Sequence, residues 1–152
     1  MKLVAKTDRT PDLLNALFSL WEASVRATHL FLTEDDIRRL KPLIVPALQG
    51  IDTLVVVAAA DGKPSGFMGI QNGCLEMLFL HPDIRGRGVG RNLLETAVRD
   101  YGVRRLDVNE QNPQALGFYR HLGFEVESRS DTDDYGNPFP ILHMRLSNNL
   151  KE

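Results

Sequence analysis

Leu78-Phe79-Leu80-His81-Pro82-Asp83-Ile84-Arg85-Gly86-Arg87-Gly88-Val89-Gly90-Arg91-Asn92-Leu93-Leu94 is the stretch that decides how this chain is read. An apolar run stops at a proline, crosses a loop of alternating arginine and glycine, and opens an amphipathic helix at about Val89. Gly86, Gly88 and Gly90 allow a tight turn that brings backbone N–H groups close to a ligand. A helix start adds unpaired N–H groups and the positive end of the helix dipole. Arg85, Arg87 and Arg91 place positive charge around the same turn. The stretch therefore suits a phosphate or pyrophosphate. Its Gly-x-Gly-x-Gly spacing departs from the dinucleotide fingerprint, and the absence of a following Gly-Lys-Ser or Gly-Lys-Thr excludes a Walker-type loop.

A second segment lies about twenty residues downstream, Asn112-Pro113-Gln114-Ala115-Leu116-Gly117-Phe118-Tyr119-Arg120-His121-Leu122-Gly123-Phe124-Glu125. Asn112 is a good helix cap and Pro113 fits the first helical position. Ala115, Leu116, Tyr119 and Leu122 recur at helical spacing, and Gly123 is placed to end the helix in a left-handed turn.

Arg85-x-x-Gly88-x-Gly90 resembles the pyrophosphate loop of the GNAT superfamily of N-acetyltransferases. The second segment resembles that superfamily's Asn-x-x-Ala-x-x-Phe-Tyr-x-x-x-Gly-Phe signature. The likeness is clear from Glu76 to Glu125. Ala27-Thr28-His29-Leu30-Phe31-Leu32 and Val108-Asn109-Glu110-Gln111-Asn112 are in addition similar to small stand-alone bacterial members with poorly defined acceptors. The resemblance implies an α/β GNAT fold, with a mixed, mostly antiparallel sheet splayed between its fourth and fifth strands and flanked by about four helices. It also implies acetyl transfer from acetyl-CoA to a primary amine of a small molecule or protein, by direct attack in a ternary complex.

Composition agrees with such a protein. A length of 152 residues is one domain, expected to span 1–152. The chain is 43% apolar and 25% charged, as in soluble globular proteins. A net charge of −2 does not suit a nucleic-acid binder that relies on overall positive charge. Cys74 is the one cysteine, so no internal disulfide is possible, and a cytoplasmic location is expected. Its apolar surroundings point to a buried, inert thiol. No apolar run is long enough to span a membrane, and Lys6 and Asp8 come too early for a signal-peptide core. His81, His121 and His143 lack metal-ligand spacing, so no metal is expected.

Periodicity and turn residues predict strand Lys2–Lys6, a helix capped by Thr10, and a second helix from Thr33 that Pro42 makes irregular. Strands Leu54–Ala60 and Ser65–Gln71 follow, joined by an Asp61-Gly62 turn, then strand Leu75–Leu80. Helix Val89–Asp100, strand Arg104–Asn109, helix Pro113–Leu122 and strands Phe124–Ser130 and Ile141–Leu146 complete the order.

The resemblance also assigns roles. The pantetheine arm would lie in the splay against backbone groups of Leu78, Phe79 and Leu80. The pyrophosphate would sit on the Arg85, Gly86, Arg87, Gly88, Val89 and Gly90 loop, with Arg91 beside it, and Asn112 would hold the pantetheine side. Tyr119 matches the general-acid position, and a phenol near pKa 10 is a reasonable donor to a thiolate near 8.5. The base is left open between Glu76, which regular alternation puts on one strand face with Leu78 and Leu80, Glu110 at the splayed end of the fifth strand, and a water chain. His29 either caps a helix end or, with Phe31 and Trp21, walls the acceptor pocket or accepts a proton. Asn109 is a further lining candidate. The loop 131–140 is either solvated or brings acidic charge and Tyr135 over the acceptor. A non-catalytic acyl-CoA sensor and a toxin-like enzyme acting on aminoacyl-tRNA are the alternatives. Monomer and homodimer are both compatible with the chain.

Overall fold

The structure, a computed structural model, describes residues 1–147, so the last five residues of the expected 1–152 domain lie outside the described part. Helix α1 spans Pro11–Thr28. Thr10 accepts a hydrogen bond from the Leu13 N–H at 3.3 Å, and Pro11 occupies the first helical position. Leu14, Leu17, Trp21 and Val25 form a buried stripe at helical spacing. Helix α2, Glu34–Gly50, opens with a reciprocal cap. The Asp36 N–H donates to Thr33 Oγ1 at 3.1 Å, and the Thr33 N–H donates to Asp36 Oδ2 at 2.9 Å. Helix α2 continues through Pro42 and Pro46, each of which removes one backbone N–H donor from its interior. Both prolines are exposed and lie four residues apart.

The strands are β1 (Lys2–Leu3), β2 (Thr53–Ala58), β3 (Pro64–Gln71), β4 (Cys74–Leu80), β5 (Arg105–Asn109), β6 (Phe124–Ser130) and β7 (Ile141–Leu146). They form one sheet in the order β1-β2-β3-β4-β5-β7-β6. β1 is shorter than expected because Lys6–Asp8 winds into a 3-10 turn. That turn brings Arg9, only 7% exposed, against the C-terminal end of α2. Its guanidinium donates to the carbonyls of Ile51 (2.6 Å), Leu48 (3.0 Å) and Gln49 (3.1 Å), and more loosely to Val4 and Asp52. Arg9 thereby takes up carbonyls that a helix terminus leaves without partners.

Helices α3 (Val89–Tyr101) and α4 (Pro113–His121) cover one sheet face, while α1 and α2 cover the other. Leu93, Leu94 and Ala97 of α3 pack with Met68, Leu106 and Met144 on the first face. Leu17 and Leu48 pack with Leu54 and Phe67 on the second.

Two irregularities in β4 position the site. β4 and β5 are parallel and pair only at Cys74–Arg105 and Leu75–Leu106, after which they separate. This is the splay expected between the fourth and fifth strands. On its other edge β4 sets Met77 opposite Gly69 but Leu75 opposite Ile70, so Glu76 is an extra, bulged residue. The bulge reverses the alternation. Leu75, Leu78 and Leu80 pack toward α3 and α4, whereas Met77 and Phe79 pack toward α1 and α2.

Candidate active site

Two adjoining cavities open at the splay. The first, about 280 Å³, is lined by the upper part of β4, the 85–91 loop and α4. Leu78, Phe79, Leu80, Arg85, Gly86, Gly88, Gly90, Arg91, Asn112 and Tyr119 all line it, ten of the twelve residues expected to hold the donor. Arg87 and Val89 do not. Arg87 is exposed outside the cleft, and Val89 turns into the core beneath α3.

The loop presents backbone donors that could meet an anion. Gly86 and Gly88 sit at φ +81° and +80°, a left-handed conformation in which a side chain is strained. Gly88 caps α3 without a side-chain hydrogen bond, so the amides of Val89, Gly90 and Arg91 at the helix start have no acceptor there. The first turns of α1 and α2 carry Asp12 and Glu34, Asp35 and Asp36, but that of α3 carries no acid. Its dipole is left for a ligand to meet. Asn112 takes the N–H of Ala115 at 3.3 Å, so capping and cavity lining occur together.

Tyr119 is buried, with its ring edge-on to Phe118 and Phe124. Burial pushes the pKa of its hydroxyl well above the usual phenol value. The group is a neutral donor at the cleft wall.

The second cavity, about 210 Å³, lies on the other side of Phe79. Trp21, Phe31, Phe79, Tyr135 and Phe139 supply apolar walls, and Glu76, Asp107, Asp133 and Asp134 supply acidic ones. Phe31 meets His29 at 5.6 Å and Phe139 at 5.6 Å between ring centroids. Asn109 lines this cavity as well, and the loop 131–140 brings both acidic charge and Tyr135 into it.

Two expectations about carboxylates change. Because of the bulge, Glu76 shares the side of Phe79 and not that of Leu78 and Leu80. Desolvation, with Asp107 and Asp134 nearby, raises its pKa. Glu110 lines neither cavity. Arg129 holds it at 2.6 Å and 3.1 Å on the exposed rim, which lowers its pKa and occupies its oxygens. A carboxylate so engaged is a poor proton acceptor.

Asp107 was legible only as part of a polar run. His143 Nδ1 lies 2.7 Å from its Oδ1, and Ser130 lies 2.7 Å from the other ring nitrogen of His143. Cys74 Sγ and the Glu76 and Asp107 oxygens lie within 4.8 Å of one another. Burial and those acids push the thiol up to about 12, so it stays protonated, neither nucleophile nor ready ligand.

His29 caps α1, its N–H donating to the Val25 carbonyl at 2.8 Å, and its ring lines both cavities. The backbone thus caps the helix while the ring faces the cavities. Burial, reinforced by Arg85, lowers its pKa to about 4.

The family model described as "Acetyltransferase (GNAT) domain" matches residues 52–126. Peptidyl-lysine N-acetyltransferase YjaB of Salmonella typhimurium is 40% identical over 128 residues, 84% of this chain and 88% of that protein. The solution structure of apo-form YjaB from Escherichia coli has a TM-score of 0.81 at 36% identity, covering 95% of each chain. The PaiA N-acetyltransferase from Thermoplasma acidophilum, solved in complex with coenzyme A, shares the fold. Its TM-score is 0.62 at 24% identity, covering 95% of this chain and 99% of that one.

Proposed function

The chain belongs to the GNAT family of acetyl-CoA-dependent N-acetyltransferases, and from that premise we propose that its acceptor is the ε-amine of a lysine in a protein. The observation that carries this reading is the division of charge between the cavities. Among the described residues the first is lined by Arg85 and Arg91 with no carboxylate, and the second by four carboxylates with no lysine or arginine. A polyanionic donor suits the one, and an ammonium on an apolar stem suits the aromatic and acidic walls of the other. The names of the YjaB relatives point to the same acceptor.

In this reading the Val89–Arg91 amides and Arg85 hold the phosphates, and the free edge of β4 at Leu78–Leu80 holds the pantetheine arm. Bound there, acetyl-CoA supplies the activated acyl group. Glu76 and Asp107 draw the ammonium into the second cavity, and Glu76, with its raised pKa, is the better placed of the two to take up its proton. The amine then attacks directly. Phe79 lines both cavities, and the Tyr119 hydroxyl donates a hydrogen bond to the sulfur as it leaves.

The test is mass-spectrometric detection of acetyl-lysine on peptides incubated with acetyl-CoA, comparing wild type with Tyr119→Phe. The variant is expected to lose about 10- to 100-fold in kcat while its acetyl-CoA affinity stays within about threefold. Unchanged turnover would remove Tyr119 from the chemistry. Failure of every lysine peptide, with small polyamines acetylated instead, would overturn the protein acceptor.

A further inference from the structure

Among the described residues only Phe79 and His29 line both cavities, and of the two only His29 has an atom that binds a proton. An amine moving from the acidic cavity toward a thioester in the basic one passes this imidazole.

The contacts around the ring determine which nitrogen is bare. Thr28 Oγ1 lies 2.8 Å from the Ser24 carbonyl oxygen and 2.8 Å from His29 Nδ1. A carbonyl can only accept, so the single hydroxyl proton of Thr28 is committed to Ser24. His29 Nδ1 must then donate its N–H to Thr28 Oγ1. Nε2 is left with its lone pair free and without a partner among the described residues. The ring itself is held between Phe31, at 5.6 Å, and Phe79, at 6.4 Å.

We propose that His29 is the proton shuttle of the transfer, taking a proton from the acceptor nitrogen and returning it to the leaving sulfur, with Thr28 as the residue that keeps Nε2 free. This rests on direct attack by an amine, as read above. The step balances without any further reactant. The nitrogen lone pair forms the C–N bond, the C–S bond breaks, and its electron pair goes to sulfur. One proton passes from nitrogen to Nε2 and on to sulfur, and His29 ends neutral as it began. Glu76 has an earlier task, removing the proton that makes the free lysine an ammonium.

Burial and Arg85 weaken His29 as a proton acceptor but fit it for the second half of the shuttle. They keep Nε2 unprotonated at neutral pH, and they make the imidazolium a willing donor once formed. Tyr119, whose proton burial retains, reaches the sulfur as a hydrogen-bond donor and is not the final source of the proton.

The experiment combines kinetics with ¹⁵N spectra of histidine-labelled protein. Wild type is expected to show His29 protonated at Nδ1 and bare at Nε2 at neutral pH. His29→Leu should lose about 100-fold in kcat on a lysine peptide while KM for acetyl-CoA moves less than about threefold. Thr28→Val should lose less in kcat and convert His29 to a mixture of tautomers, a change that a merely structural role would not produce. Wild-type spectra with the proton on Nε2, or His29→Leu retaining more than about a third of kcat, would overturn the shuttle. Wild type that acetylates no lysine would sink the acceptor reading first, and the tautomer measurement, which needs no turnover, would still test the bare Nε2.

Discussion

Gly88→Trp is expected to weaken acetyl-CoA binding at least about 100-fold, roughly 2.7 kcal/mol, while the protein stays folded. The contrast arises because this glycine faces open space in the free protein. A Cβ built on it meets nothing within 4 Å, so the indole displaces no core residue. The cost to folding is the left-handed φ of +80°, about 1–2 kcal/mol for a residue with a side chain. That open space is also where the uncapped start of α3 points, so the indole covers the amides of Val89 to Arg91. Calorimetric titration beside a thermal melt separates the two effects. A loss in affinity of less than about threefold would move the phosphates off this loop.

Arg9→Met is expected to destabilise the protein by about 3–5 kcal/mol, a fall in Tm of roughly 10 °C, without reaching the active site. Methionine matches the length of the buried stem but offers no donors. The carbonyls of Leu48 and Ile51 would then be left without donors in a buried region beside Val4. Buried acceptors stripped of their donor cost more than the bond itself contributed. Chemical denaturation measures the change, and a value below about 1 kcal/mol would mean that water replaces the guanidinium.

What could be read from the sequence was local. Thr10 caps over three residues, Thr33 and Asp36 cap each other, and Asn112 caps Ala115, so each cap stands within one turn of its partner. The glycines of the 86–90 loop announce their own backbone angles. What escaped depends on contacts between distant segments. The bulge at Glu76 exists only in the register of β4 against β3, and strict alternation along β4 therefore put that carboxylate on the wrong face. Glu110 looked like site lining until Arg129, nineteen residues later, took its oxygens. Apart from Val4, Arg9 finds its carbonyls 39 to 43 residues away, across all of α1 and α2. Asp107, Asp133 and Asp134 become one acidic wall only because β5 and the loop before β7 converge beside Phe79. His29 could be named early, but its place between two cavities is a property of the assembled splay.

The opposite charge of the two cavities also bears on how products leave. With lysine as the acceptor, acetylation erases the positive charge that drew the side chain in, and the amide then faces Glu76, Asp107, Asp133 and Asp134 with nothing to offer them. Coenzyme A keeps its phosphates, and with them its hold on the 85–91 loop. The expected departure is ordered, with the modified protein first and the thiol last. Product-inhibition kinetics would then show coenzyme A competing with acetyl-CoA, while acetylated peptide hardly inhibits. A chamber of this kind ejects what it has made because the reaction neutralises the property by which the substrate was chosen.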